Sequence, residues 1–360
     1  MKILQVCPGY YVSGVGGVSE HVLRVSEGLV KQGHDVTVYG TNPGQLASSE
    51  VVNGVKVRRF NMFAPSGAYF FSLEMALTLR RAKFDLVHGH GYHALPVHFS
   101  SLAECKKLVV TAHFHGAAHS AFRKPLFKLF APLGKMILEK ADNIIAVSDF
   151  EKSLLCEKFG LKSQKITVVP NGVDLNEFTS YQHHESNFKS ILYVGRLEKY
   201  KGIQYVLEVL PKLSDDVILK IVGNGSLKGF LENRAKELKV QDRVFFYQNL
   251  PRKELLQKYI DADVLILLSR YEAYSLVVAE ALASGTPCIL AKTSALAEWV
   301  DNKSCFGLDF PIKKHELVEI ISDVFKARFS NKIFKAWLGN KIYDWDDIVK
   351  QIEKIYFENS

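Results

Sequence analysis

Short runs of branched apolar residues recur along the 360 residues, each followed by a segment of helical periodicity. The first series is Ile3–Cys7, Val36–Tyr39, Leu86–His88, Leu108–Thr111, Ile144–Val147 and Ile166–Val169. The pattern restarts with Ile191–Val194, Val217–Val222, Val244–Tyr247, Val264–Leu268 and Cys288–Leu290. A bounded apolar run of about 4–8 residues suits a strand buried on both faces, and an intervening helix makes successive strands parallel. The alternation predicts an α/β chain of two Rossmann-like domains. Between the series, Thr179–Lys189 is polar and aperiodic and reads as the linker, placing the domains at residues 1–180 and 181–360.

Composition narrows the class. The chain is 48% hydrophobic and 23% charged, which fits a folded globular protein and excludes a disordered one. Its five cysteines are widely spaced, with no Cys-x-x-Cys pair, so a disulfide framework or zinc ribbon is not expected and a reducing cytoplasm is. The apolar run that ends at Pro8 fits a first core strand better than a secretory segment. No stretch approaches the ~18–20 apolar residues that cross a bilayer. A net charge of +8 favours anionic partners without choosing among nucleotide sugars, anionic lipids and nucleic acid. The lysines are spread along the chain with no aromatic-basic platform, which argues against nucleic acid.

Two motifs carry chemistry. Gly195, Arg196, Leu197, Glu198, Lys199, Tyr200, Lys201 and Gly202 follow the Ile191–Val194 strand and precede a helical segment. Arg196 and Lys201 are thereby expected at the carboxyl end of a parallel strand, where open α/β sheets bind ligands. Two fixed cations there suit a diphosphate. Downstream, Glu272 and Glu280 stand eight positions apart and lead into Ser284, Gly285, Thr286 and Pro287. Glu280 is expected on a helix Leu276–Ala283, where it suits a sugar diol, and Glu272 in the loop before it.

Further positions remain open between ligand and structural roles. Gly14, Gly16 and Gly17 follow the first strand and precede a helix near Val18, either as a phosphate turn or as an ordinary βα turn. Seven of twelve histidines fall between His88 and His119. No Asp or Glu accompanies His88, His90 and His93, so a metal site is not expected there. His113 closes the Leu108–Thr111 strand, either facing a ligand or capping the strand. Ala121–Lys140 mixes apolar and basic residues as a membrane-surface helix does, although its apolar face also suits a core. Pro125 and Pro132 are expected to interrupt any long helix there.

Taken in order, Gly16–Glu20, Asp85–His90, Thr111–His113, Ala141–Ser148, Pro170–Asp174, Gly195–Gly202, Gly223–Gly225 and the glutamate pair resemble the retaining GT-B glycosyltransferases of family 4, over nearly the whole chain. The resemblance implies two Rossmann-like domains whose parallel sheets face a central cleft, with a last helix, apolar at Trp345, Ile348, Ile352 and Ile355, crossing back to the first domain. It implies a transferase that moves a sugar from a nucleotide-diphosphate sugar to a hydroxyl acceptor, on a glycan, a glycolipid or a small molecule. No metal and no cofactor are implied, because basic side chains replace the cation.

Residue by residue, the resemblance implies that Arg196 and Lys201 stabilise the leaving diphosphate. Glu272 would approach the donor sugar's ring hydroxyls, helped by the amides of Ala273, Tyr274, Ser275 and Leu276, and Glu280 the ribose. Gly16 and Gly17 would face the donor diphosphate or acceptor. Gly223 and Gly225 would border the nucleotide, His113 would meet the sugar's hydroxymethyl group or the acceptor, and His90 the acceptor. Gln248 or Asn249 in place of a glycine leaves the base open, and Ser294–Glu298 lacks the usual glycines that would allow close backbone approach to the phosphate. A nucleotide-sugar epimerase and a noncatalytic nucleotide-sugar-binding scaffold on the same fold are the alternatives, and a peripheral membrane contact with a lipid-linked acceptor stays open.

Overall fold

The computed structural model describes residues 1–9, 16–42, 44, 46–63, 71–92, 94–116, 123–327 and 341–358, the side chains of 123–129 excepted. Gly14, His93, His119, Ala121 and Phe122 lie outside the described residues. Internal contacts divide the chain into two units, one of Met1–Asn171 with Trp345–Ser360 and one of Gly172–Asp344.

In the first unit, β1 (Lys2–Val6), α1 (Gly17–Lys31), β2 (Asp35–Asn42), β3 (Ser49–Val52), β4 (Val55–Asn61) and α2 (Leu73–Leu79) come first. They are followed by β5 (Leu86–His90), α3 (Leu95–Ser100), β6 (Lys107–Thr111), α4 (Arg123–Lys140), β7 (Asn143–Ala146), α5 (Asp149–Phe159) and β8 (Ile166–Val168). The sheet order is β3-β4-β2-β1-β5-β6-β7-β8, parallel except where β3 pairs antiparallel with β4. That hairpin is absent from the sequence expectations. Its signal is Asn53-Gly54, a two-residue turn with φ of 49° and 83°, flanked by strands whose sides alternate in burial. The central strands are buried along their length because helices cover both faces.

The second unit repeats the plan with β9 (Lys189–Val194), α6 (Ile203–Val209), β10 (Val217–Val222), α7 (Lys228–Glu237), β11 (Val244–Tyr247) and α8 (Arg252–Ile260). Then come β12 (Val264–Leu267), α9 (Leu276–Ser284), β13 (Cys288–Ala291), α10 (Leu296–Trp299), β14 (Cys305–Leu308) and α11 (Lys314–Ala327). The order is β11-β10-β9-β12-β13-β14, all parallel. The strand order reverses between β10-β9 and β12, so the loops after β9 and β12 flank a switch point, the usual ligand position in such sheets.

The last helix, α12 (Trp345–Phe357), belongs to the first unit, with Trp345, Ile348, Ile352 and Ile355 buried. Polar contacts fix its far end. Lys107 on β6 donates to the carbonyls of Ile355 at 2.6 Å and Glu358 at 2.5 Å, satisfying orphan acceptors at the helix terminus.

The expected interruption near residues 125–132 does not occur, for α4 runs unbroken over 18 residues. Pro125 falls in its first turn, where an amide has no partner inside the helix. Pro132 removes one interior hydrogen bond, and burial of Phe130, Ile137 and Leu138, worth about 1.5–3 kcal/mol each, offsets it. Among the described residues no helix is long and apolar enough to cross a membrane.

The carboxyl ends of β9 and β10 meet through backbone alone. Gly223 has φ of 146°, and a Cβ there would stand 1.9 Å from the Gly195 carbonyl oxygen. Gly223→Ala is therefore expected to lose at least the ~1–3 kcal/mol of such a backbone conformation. Gly229→Ala, on α7 with open space at its Cβ position, is expected to be neutral or to gain up to ~1 kcal/mol from helix propensity. Denaturant midpoints of the two variants check this contrast, and equal midpoints would refute it.

Candidate active site

In the second unit, the chain leaves β9 through Gly195 and Arg196, forms a 3-10 turn over Lys199–Lys201 and enters α6 at Gly202. Leu197 anchors this loop. It is fully buried, its amide donates to the Asn224 carbonyl at 2.9 Å, and its carbonyl accepts from Leu227 at 2.8 Å. The cations on either side are held by Tyr200. Arg196 Nη2 donates to the Tyr200 hydroxyl at 2.6 Å, and Lys201 Nζ lies 5.5 Å from the ring centroid. Burial pushes the Tyr200 phenol up, keeping it a neutral donor and acceptor.

Lys201 Nζ also donates to Glu272 Oε1 at 2.6 Å, and each side chain is 14% exposed. The cation and the first carboxylate of the two motifs thus meet directly. Glu272 lies in the loop after β12, with its amide donating to Ser294 Oγ at 2.9 Å and its carbonyl accepting from Ala295 at 3.3 Å. The following turn is held as firmly: Trp299 Nε1 donates to the Tyr274 carbonyl at 3.3 Å. Ser275 has φ of 112°, a strained value for a residue with a Cβ, and its hydroxyl accepts from Val278 at the start of α9. The amides of Ala273–Leu276 are consequently presented at a rigid, positively polarised helix entry.

Glu280 stands one side of α9, where Arg252 Nη1 donates to Oε1 at 2.5 Å and the Tyr259 hydroxyl to Oε2 at 2.9 Å. Arg252 also donates to Glu177 at 2.7 Å. These contacts fix the Glu280 carboxylate as an acceptor on α9. Gly223 and Gly225 border this loop system, but both have a backbone reason for being glycine. A Cβ on Gly225 would stand 2.5 Å from the Leu197 carbonyl oxygen.

In the first unit, Gly16 is the N-cap of α1 with φ of 126° and nothing within 4 Å of a Cβ position, and Gly17 begins the helix. Its conformation, not crowding, selects glycine at position 16. No side chain caps α1, so its leading amides face outward from the helix end. His113 follows β6 with φ of 49°. The next amide, Phe114, donates to buried Glu151, whose other oxygen accepts from Val147 at 2.6 Å. Burial pushes the Glu151 carboxyl up to about 8.

His113 packs against His21 and His90, with ring centroids 5.0 Å and 6.1 Å away. His90, expected to meet an acceptor, is fully buried and bonds Gln5 Oε1 at 2.6 Å, so it presents no surface and instead backs His113. His88 bonds Tyr356 at 2.6 Å and Thr111 at 2.7 Å. Burial drives the imidazoles of His88, His90 and His113 well below their usual range and that of His21 to about 4. All four are neutral at pH 7.

Tyr200, Arg252, Tyr259, Glu151 and His21 have no role in the sequence expectations. Tyr200 lies inside the cationic motif, which makes it findable. Arg252 and Tyr259 reach Glu280 only through the tertiary packing of α8 on α9.

Two family models match the chain, "Glycosyltransferase Family 4" over residues 15–177 and "Glycosyl transferases group 1" over residues 177–336. Glycogen synthase of Mycobacterium tuberculosis is 27% identical over 393 aligned residues, covering 99% of this chain and 94% of that protein. Among solved structures, sucrose-phosphate synthase of Thermosynechococcus elongatus superposes with a TM-score of 0.81 at 20% identity, covering 99% and 98% of the two chains. Anabaena HepE, solved in complex with UDP-glucose, gives a TM-score of 0.77 at 18% identity over 99% of each chain. With both models matched in sequence and both parallel sheets in place, the chain belongs to the GT-B glycosyltransferases of family 4, also described as group 1, which transfer a sugar from a nucleotide sugar.

Proposed function

We propose that the protein is a retaining, metal-independent transferase that passes a sugar from a nucleoside-diphosphate donor to a hydroxyl acceptor on a glycan, a glycolipid or a small molecule. The observation that carries this reading is the Lys201–Glu272 contact of 2.6 Å in one loop system with Arg196. A diphosphate needs fixed cations and a sugar needs a fixed carboxylate, and this arrangement supplies both at a sheet's switch point. The complex of the related HepE with UDP-glucose supports a donor of that chemical class.

In this reading Arg196 and Lys201 take the phosphate oxygens. Arginine offers a planar fork, and lysine has three protons, one of which it spends on Glu272. Glu272 and the amides of Ala273–Leu276 hold the sugar's hydroxyls, and Glu280, set by Arg252 and Tyr259, takes the ribose. Gly223 and Gly225 shape the nucleotide's border. From the first unit, Gly16 and Gly17 offer helix amides, and His113 offers a neutral imidazole to a substrate hydroxyl. The acceptor oxygen attacks the anomeric carbon on the face that the diphosphate leaves. The carbon–phosphate-oxygen bond breaks as the new glycosidic bond forms, and the departing phosphate oxygen takes the acceptor's proton. Developing charge on that oxygen is what the two cations stabilise.

A front-face step leaves no sugar on the protein. Intact-mass measurement of Glu272→Gln and Glu280→Gln with donor is expected to show no glycosyl adduct, and an adduct on either would overturn the step. Lys201→Ala is expected to lower kcat about 10²–10³-fold by removing one stabilising charge. Unchanged kcat in that variant would remove Lys201 from the chemistry.

Donor binding is tested by thermal shift with a panel of nucleoside diphosphates and their sugars. A ligand at 100 times its Kd stabilises the fold by about 2.7 kcal/mol. One nucleotide series is expected to raise the Tm of the wild type and not of Arg196→Ala. No shift with any nucleotide at millimolar concentration would refute the donor site.

A further inference from the structure

We propose that His21, His90 and His113 form a three-imidazole site for a zinc-class divalent ion. One ring nitrogen of each lies within 4.8 Å of the others. His21 Nε2, His90 Nδ1 and His113 Nε2 are buried and have no hydrogen-bond partner, whereas neighbouring His88 has both ring nitrogens bonded. Buried ring nitrogens normally have a partner, and these three without one belong to rings that pack against each other.

The opposite ring nitrogens determine what these atoms are. His21 Nδ1 lies 2.7 Å from Asn171 Oδ1, and His90 Nε2 lies 2.6 Å from Gln5 Oε1. Gln5 donates its own Nε2 to Tyr356 at 3.2 Å, which orients the amide so that its oxygen faces His90. Amide oxygens only accept, so His21 and His90 place their protons on the bonded nitrogens and keep lone pairs on the unpartnered ones. Metal-binding histidines are fixed in the same way, by a carbonyl that accepts from the far nitrogen.

Two lone pairs and the unpartnered His113 Nε2 lie in one buried cluster, and a cation would satisfy all three. A tetrahedral zinc site with bonds of about 2.0–2.1 Å needs its nitrogens about 3.4 Å apart, within reach of modest ring rotation. Neutral nitrogen donors without a carboxylate favour zinc, copper, nickel or cobalt over magnesium and calcium. The ion would fix and polarise the His113 ring, which the proposed function places against a substrate hydroxyl, so it acts as an inhibitor of the proposed transfer, not as its cofactor.

The site itself is tested on ligand-free protein, which makes its outcome independent of the transferase reading. Zn²⁺ titration by calorimetry, and Co²⁺ titration followed by visible absorption, are expected to give one ion per chain with a tetrahedral Co²⁺ spectrum. Mg²⁺ is expected to give neither. His184→Ala, which removes an exposed histidine paired with Asp261, controls for surface binding and is expected to leave the signal intact. His21→Ala and His90→Ala are expected to abolish it.

Asn171→Ala keeps all three ligands but releases His21, and is expected to weaken binding 10–100-fold, with circular dichroism confirming the fold. Absence of binding in the wild type, or an unchanged Kd in all three of these variants, would overturn the site. Where transfer is measured, zinc that fills the site is expected to suppress it and a chelator to restore it. Undiminished transfer at full occupancy would overturn the inhibitory consequence and leave the site standing.

Discussion

The backbone contact between Gly195 and Gly223 is the constraint from which the loop system of the second unit follows. Adjacent parallel strands normally diverge into separate loops, but here the Gly195 amide donates to Val222 and the Gly223 amide to Tyr247, extending the ladder past the strand ends. Any side chain at Gly223 would fill the space of a carbonyl oxygen. Because the two turns lie against each other, Leu197 is trapped between them and the loop that carries both cations is anchored. Arg196 and Lys201 are cationic on a rigid base for this reason. Preorganised charge stabilises a leaving group without the reorganisation cost that water would impose.

The first unit uses polarity differently. His88, His90 and His113 lie at or near the carboxyl ends of β5 and β6 and His21 on α1, and they are satisfied in a graded way, His88 fully and the other three at one nitrogen or fewer among the described residues. Burial keeps them uncharged, so four imidazoles share a small volume without electrostatic collapse. Tyr356 of α12 bonds both His88 and Gln5, which ties the end of the chain to this layer. The helix that completes the unit therefore also sets the tautomers behind His113.

Strands buried on both faces were legible because an apolar run has no other place to go, and the predicted runs agree with β1, β9 and β10 to within a residue or two. The β3–β4 hairpin was not, because an edge exposed on one side replaces the apolar run with alternation. The cationic and acidic motifs were legible as chemistry, since their spacing places charges around strand ends. Their partners were not. Arg252 is 28 positions from Glu280 and Lys201 is 71 from Glu272, and only the crossovers of the sheet bring them together. His90 shows the limit from the other side, for a polar residue at a strand's end reads as exposed until the sheet order buries it.

The Lys201–Glu272 pair then distinguishes the two cations. Removing either partner from a largely buried pair costs about 3–5 kcal/mol, because the remaining charge has lost its compensation. Lys201 is therefore committed before any ligand arrives, and it can meet a phosphate only by sharing its protons. Among the described residues the Arg196 side chain is exposed and bonded to a neutral phenol, a contact that a diphosphate with one charge on each phosphate readily replaces. In the proposed function Arg196 therefore captures the donor, and Lys201 couples the diphosphate to the carboxylate beneath the sugar. A charge that moves and a charge that stays are both needed when one ligand carries the leaving group and the group to be transferred.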